Sequence, residues 1–440
     1  MLTVARSSPY DREIVRLAVP ALGALMAEPV YVLTDTAIVG HLGTAQLGGL
    51  AVAGAVLLTG YALFVFLAYA TTASVARLQG AGRGEEAARQ GVQGCWLALA
   101  IALPLTAAGL LAAGALVTAL GAGPGTAAHP YALLYLRISL LGAPAMLLTY
   151  AGTGYLRGLQ DTRTPLVVAA GTAAGNLVLE VVLVYGLGYG VGASAAATVV
   201  AQYSGAVVYL WRVGADARRR GVPLRPSAGA VRSLAVVGGH LLVRTAALRG
   251  SLLLATAVAT RLGPVPLAAH AVAFEIWSAL ALGLDALAIA AQALVGRMLG
   301  AGDEAGARAV SRRLLEWGVL GGVLAGLAVV ALRPVLPGVF TGDARVAALT
   351  AFLLLVVAAV QPLNAVVFVL DGVLIGAGDA RFLAWSMSAV ALGYACVALL
   401  VPVLGLGIGA LWGALVVLML GRAGTLCVRF RGAAWTGPRD

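Results

Sequence analysis

Long apolar stretches separated by short polar turns rich in arginine run from one end of the chain to the other. Each stretch holds roughly 20 or more residues with few charges, the length at which a helix crosses a bilayer. The pattern predicts twelve helices, over residues 14–39, 47–75, 93–120, 128–152, 165–187, 191–211, 232–259, 266–296, 314–332, 346–371, 382–403 and 407–427. Gly and Pro recur inside these segments, as membrane helices tolerate. The expected fold class is an all-α polytopic membrane protein with 12 transmembrane helices.

Composition sharpens this picture. Of 440 residues, 61% are hydrophobic and 11% charged, and the mean hydropathy is +0.96, which excludes a soluble enzyme. The net charge is +11, and all 29 basic residues are Arg. Without Lys the chain cannot form a P-loop ATPase site or a Lys Schiff base. No soluble domain is present to carry a nucleic-acid face, so nucleic acid is not an expected partner; the lipid bilayer and a small-molecule substrate are. Cys95, Cys396 and Cys427 are isolated, and the four His show no HExxH spacing, so neither a metal nor another cofactor is expected. The first span is expected to act as its own targeting signal. With the N-terminus in the cytoplasm, 23 Arg fall on the cytoplasmic side, three on the other, and Arg137, Arg244 and Arg249 inside spans. That bias predicts a multi-pass protein of the cell membrane with both termini cytoplasmic.

The chain also repeats itself. Val75-Ala-Arg-Leu-Gln-Gly-Ala-Gly82 matches Val295-Gly-Arg-Met-Leu-Gly-Ala-Gly302 at an offset of 220, as does Gly40-His-Leu-Gly43 with Thr260-Arg-Leu-Gly263. Leu156-Arg-Gly-Leu-Gln-Asp-Thr-Arg163 matches Leu374-Ile-Gly-Ala-Gly-Asp-Ala-Arg381 at 218. The unit is six helices, an even number, so both copies enter from the same side and relate by a pseudo-two-fold axis along the membrane normal. The expected domains are an N-lobe over 1–213, a polar cytoplasmic linker over 214–231 and a C-lobe over 232–440. Paired bundles of this kind hold their ligand at the repeat interface, and a monomer suffices.

Ionisable groups inside a membrane are expensive and functional by default. Asp35 lies late in the first span, with Glu28 seven residues earlier on the same face. Asn176 and Glu180 share a face of the fifth span, and Thr198 and Gln202 a face of the sixth. Such a cluster can take and release a proton; the same oxygens suit a hard alkali cation, which would sit at Asp35, Asn176, Glu180 and Thr198. Pro20 has no N–H to donate within the helix, so it is the expected hinge. In the second half Ala255 takes the place of Asp35. Glu275, Asp285 and Asp371 there are expected in ion pairs, with Arg244 and Arg249 as partners. Glu316, near a cytoplasmic helix end, is expected to be solvated. Gln202, Gln292, Gln361, Asn364 and Asp371 are expected around the substrate cavity.

The stretch Pro20-Ala-Leu-Gly-Ala-Leu-Met-Ala-Glu-Pro-Val-Tyr-Val-Leu-Thr-Asp-Thr-Ala-Ile-Val-Gly-His-Leu-Gly43 resembles the first helix of the multidrug and toxic compound extrusion (MATE) family, in its DinF-like branch within the MOP flippase superfamily. Leu156-Arg-Gly-Leu-Gln-Asp161 and Leu370-Asp-Gly-Val-Leu-Ile-Gly-Ala-Gly-Asp379 resemble it too. The resemblance implies a cation-coupled antiporter working by alternating access. It implies a coupling site at Asp35, Asn176, Glu180 and Thr198, with Tyr135 beside it, and a bending role for Pro20. The fifth-helix acid is Glu180, where the family often has Asp. The seventh span lacks the acid of Na⁺-coupled NorM-like relatives, which favours H⁺ over Na⁺ as coupling ion. The expected function is proton-driven export of small amphipathic organic compounds, not catalysis. An organic-anion exporter and a lipid-linked flippase are the alternatives.

Overall fold

The computed structural model describes residues 8–437. Arg6 and Arg439, counted above on the cytoplasmic side, lie outside the described residues. The helices are α1 (Asp11–Gly40), α2 (Thr44–Phe64), α3 (Phe66–Gly80), α4 (Gly84–Ala119), α5 (His129–Leu140), α6 (Ala143–Gly158), α7 (Arg163–Glu180), α8 (Val191–Arg219), α9 (Ala228–Arg261), α10 (Pro264–Gly300), α11 (Glu304–Leu332), α12 (Leu336–Phe340), α13 (Ala344–Gly376), α14 (Ala380–Val403) and α15 (Ile408–Arg431). Eleven apolar spans, α2 and α3 counting together as one, plus the bent pair α5–α6 make the twelve expected crossings.

Several helices run beyond the apolar stretches that predicted them. α11 begins at Glu304, ten residues before the predicted start, because Glu304–Arg313 is polar yet helical. Its start is capped by Asp303, whose Oδ1 accepts from Gly306 N at 2.7 Å. Hydropathy sees the part of a helix in lipid, not its wet end. For the same reason α8 continues to Arg219 and α9 starts at Ala228, which shortens the irregular link between them.

By contacts the chain divides into two compact units. Gly23–Gly238 form the amino unit; the described residues up to Leu22 and those from Gly239 onward form the carboxy unit. The first turns of α1 therefore pack in the carboxy unit. Asp11 accepts from Arg313 Nε and Nη2 at 2.6 and 2.9 Å and from Trp317 Nε1 at 3.0 Å, while Glu13 pairs with Arg297 at 2.8 Å. Ile14 and Leu17 are buried there. In the amino unit Gln93 receives Ser227 N at 2.8 Å and donates to the Arg225 carbonyl at 3.1 Å, and Trp96 donates to the Leu224 carbonyl at 2.8 Å, so the start of α9 is tied to α4.

The repeat reappears in the packing of each unit. A methyl group on Gly154 would overlap the carbonyl oxygen of Ala68; one on Gly372, 218 residues later, would overlap that of Ala288, 220 residues later. Backbones this close are the membrane solution to helix packing, where lipid removes the usual hydrophobic drive. Gln160 (φ 65°) and Gly378 (φ 74°) occupy the same left-handed turn after α6 and α13. The copies diverge at their matched prolines. α13 continues unbroken through Pro362, whereas Leu141–Gly142 before Pro144 break the amino copy into α5 and α6, bent by 46°.

Candidate functional site

Four helices of the amino unit bring their polar residues to one place. α1 supplies Tyr31 and Asp35, one turn apart; α5 supplies Tyr135; α7 supplies Asn176 and Glu180; α8 supplies Ser194 and Thr198. Asp35 is 5% exposed and Glu180 0%, and Tyr135, Asn176, Ser194 and Thr198 are buried as well. Val39, Leu50, Ala53, Leu136, Val191 and Ala195 belong to a buried apolar cluster that includes Tyr135.

The hydrogen bonds converge on Asp35. Tyr135 donates its hydroxyl to Oδ2 at 3.0 Å, and Ser194 Oγ lies 2.5 Å from Oδ1. The same Ser194 Oγ lies 3.0 Å from Glu180 Oε1, so one hydroxyl joins two carboxyl groups. Thr198 donates to the Ser194 carbonyl at 3.1 Å and shares a 2.5 Å contact with the Tyr31 hydroxyl. Glu180 Oε2 and Asn176 Oδ1 are buried without a hydrogen-bond partner among the described residues. Neither acid forms an ion pair with a described residue. Glu180 is the last α-helical residue before a π-helical turn, Val181–Gly186. Leu187-Gly-Tyr-Gly-Val-Gly-Ala193 matches Leu404-Gly-Leu-Gly-Ile-Gly-Ala410 at an offset of 217, whereas α7 matches α14 at 218. The amino copy thus carries one extra residue between these blocks, and the wider turn accommodates it; such turns gather at functional sites.

Asp35, Tyr135, Asn176, Glu180 and Thr198, predicted from separate spans, are therefore brought together. Glu28 is not buried with them: it is exposed, although it lies seven residues from Asp35. Shared angular position does not give shared cover, because the neighbours two turns away differ. Ser194 and Tyr31 were missed. Ser194, Thr198 and Gln202 follow at i, i+4 and i+8, and Tyr31 precedes Asp35 by four, so helical spacing held the signal. Pro20 sits within α1, which continues unbroken through it, two residues before Leu22, where the contact units divide.

Gln202 is half-buried against Gly142. Gln292, Gln361, Asn364 and Asp371 are buried inside the carboxy unit. Asp371 accepts from Arg244 Nη2 at 2.6 Å and from Arg422 Nη2. The expected ion pair exists, with Asp371 as the partner of Arg244. Arg422, counted above among the cytoplasmic arginines, is buried as its second partner. Arg137, Arg249 and Glu275 are exposed, and Asp285 is half-buried. Glu316, expected to be solvated, is partly exposed and pairs with Arg313 at 2.7 Å. The described residues hold no group of three His, Cys, Asp or Glu side chains able to share a metal ion.

A dozen apolar helical spans, a duplicated six-helix unit and a buried pair of acids in one copy define the class of polytopic membrane transporters. The chain belongs to the MatE family, the multidrug and toxic compound extrusion transporters: the family model matches residues 20–185 and 242–410, once in each repeat. Protein DETOXIFICATION 44, chloroplastic, of Arabidopsis thaliana is 34% identical over 97% of this chain and 83% of its own length. DNA damage-inducible protein F of Escherichia coli strain K12 is 29% identical over 98% of this chain and 94% of its own. Among solved structures, a multidrug resistance MATE family transporter of the MOP superfamily in its outward-facing conformation superposes with a TM-score of 0.84, at 20% identity over 98% of this chain and 96% of that one.

Proposed function

We propose that this protein is a proton-driven antiporter that exports small amphipathic organic compounds across the cell membrane by alternating access, with both termini in the cytoplasm. The observation that carries this reading is the meeting of Asp35 and Glu180 on one hydroxyl, buried and without a cationic partner among the described residues. Two bare carboxylates in that setting cost several kcal/mol, so the pair is stable only when it holds a cation, and a proton meets that need with no further ligands. Asp35 sits on α1, whose first turns pack in the carboxy unit, so a charge change at Asp35 acts on a helix that both units hold. Coupling then requires proton and substrate to favour different states. Arg244 and Arg422 are engaged by Asp371, which argues against the organic-anion and flippase readings that would need them for cargo.

The test is efflux of a fluorescent organic cation from proteoliposomes under a pH gradient or a sodium gradient, imposed separately. The pH gradient alone is expected to drive exchange, and Asp35→Asn to abolish it in protein that still inserts and purifies. Sodium-driven exchange without a pH gradient, or undiminished exchange by Asp35→Asn, would overturn the reading.

A further inference from the structure

Ser194 belongs to neither acid, and its geometry sets how many protons the pair can hold. Its Oγ is within hydrogen-bonding distance of Asp35 Oδ1 (2.5 Å) and Glu180 Oε1 (3.0 Å). A serine hydroxyl has one hydrogen and two lone pairs. It can donate to one carboxyl only. The other contact must be made by a hydrogen that the second carboxyl brings, or two lone pairs face each other at hydrogen-bond distance. The arrangement is therefore complete with one proton on the pair, not none.

The remaining bonds say which carboxyl carries it. Asp35 has both oxygens engaged by hydroxyls, Ser194 on Oδ1 and Tyr135 on Oδ2, which suits an ionised group. Glu180 has Oε1 against Ser194 and Oε2 buried without a partner among the described residues, which suits a neutral group. The other titratable side chains around the pair are tyrosines: Tyr31 from α1, Tyr61 from α2 and Tyr135 from α5. Asn176 from α7 and Thr198 from α8 complete the polar wall, and no basic residue pairs with either acid among the described residues.

We propose that Ser194 is the positioning residue that makes Asp35 and Glu180 a one-proton pair and relays that proton between them. In the resting arrangement Glu180 donates to Ser194 and Ser194 donates to Asp35. In the relay the Glu180 O–H breaks as a new O–H forms on Ser194 Oγ, and the original Ser194 O–H breaks as one forms on Asp35 Oδ1. One proton has moved from α7 to α1, the charge has moved the other way, and the hydroxyl is restored with its direction reversed. The proposal rests on the coupling role assigned above to the same two acids. It adds that the one-proton state is held over a broad pH range, because the bridge favours that state over both the doubly ionised and the doubly protonated ones.

The experiment compares wild type, Ser194→Ala and Ser194→Thr. Infrared difference spectra of the reconstituted protein read the C=O stretch of a protonated carboxyl, and efflux driven by a pH gradient is measured across a pH series. The expected spectrum shows one protonated carboxyl in wild type at neutral pH, lost in Glu180→Gln and kept in Asp35→Asn. Ser194→Ala, a smaller side chain that leaves the packing intact, is expected to narrow the pH range over which that band and efflux persist, and to slow efflux by about 10-fold. Ser194→Thr keeps the hydroxyl and is expected to restore both. A pH profile and rate in Ser194→Ala equal to wild type, or a band lost in Asp35→Asn and kept in Glu180→Gln, would overturn the proposal. If Ser194→Ala is silent while Asp35→Asn is dead, the relay fails and the coupling reading stands; if Asp35→Asn exchanges normally, the coupling reading fails first.

Discussion

The two repeats place opposite chemistry at the same address. The offset of 220 pairs Asp35 with Ala255; the offset of 218 pairs Tyr135 with Leu353, Asn176 with Tyr394 and Glu180 with Ala398; and the offset of 217 beyond the π-helical turn pairs Ser194 with Leu411 and Thr198 with Leu415. All six carboxy-unit residues belong to one buried apolar cluster. The helices match and the close glycine contacts match, yet one copy keeps a hydrogen-bonded pocket where the other is filled by hydrocarbon and a tyrosine ring. A duplicated scaffold needs its small-residue seams in both halves, because they set the approach of the backbones. A hydrogen-bonded pair of acids stands at this address in one copy only. The carboxy unit gathers its own charges elsewhere, at Asp371, where two arginines share one carboxylate. That cluster is charge-paired and the Asp35–Glu180 cluster is not among the described residues, a difference that the proposed function reads as a fixed contact against an exchangeable proton.

The comparison can be broken in order of effect. Asp371→Asn leaves two buried guanidinium groups without their carboxylate and is expected to cost about 3–5 kcal/mol of stability, read as a lower unfolding midpoint in detergent. A midpoint equal to wild type would mean that the carboxy cluster does not hold its unit together. The double change Asp35→Ala with Glu180→Ala gives the two acid positions the alanines of their counterparts, Ala255 and Ala398. Proton-driven exchange should fall by about 100-fold, while the unfolding midpoint stays level or rises because two buried acids are gone. Lost stability with retained exchange would reverse the roles assigned to the two units. Gly154→Ala and Gly372→Ala should each destabilise by about 1–3 kcal/mol, and by similar amounts, since both methyl groups would meet a backbone carbonyl. Unequal penalties would show that the seams are not equivalent. The smallest effect is expected from Tyr394→Phe. The Tyr394 hydroxyl is buried without a partner among the described residues, so its removal should change stability by less than about 1 kcal/mol and leave transport untouched.

Much of this is legible in the sequence. Apolar runs of bilayer length can only be helices, since no other open structure satisfies its backbone in lipid, so the count of spans followed from hydropathy. The repeat was legible because its turns carry the same short motifs. Asp35, Asn176, Glu180 and Thr198 stood out because an ionisable or polar residue in such a run calls for a reason. What hydropathy and spacing left undecided was company. Glu28 and Asp35 share a helical face, but only one is covered. Asp371 was expected in an ion pair as well as around the cavity, but only the packing shows that Arg244 and Arg422, whose helices lie far apart along the chain, both converge on it.

Ser194 shows the boundary most clearly. The spacing of Ser194 with Thr198 and Gln202 marks a helix face but names no partner, since a serine hydroxyl can equally fold back on its own backbone. The amino-acid order determined how many helices there are, which stretches repeat and where the stray acids sit, because those follow from the length and period of local patterns. Only the packing of α1, α5, α7 and α8 decided that two of those acids share one hydroxyl. A hydrogen bond depends on ångström distances between residues as far apart as Asp35 and Ser194, and no local pattern encodes that.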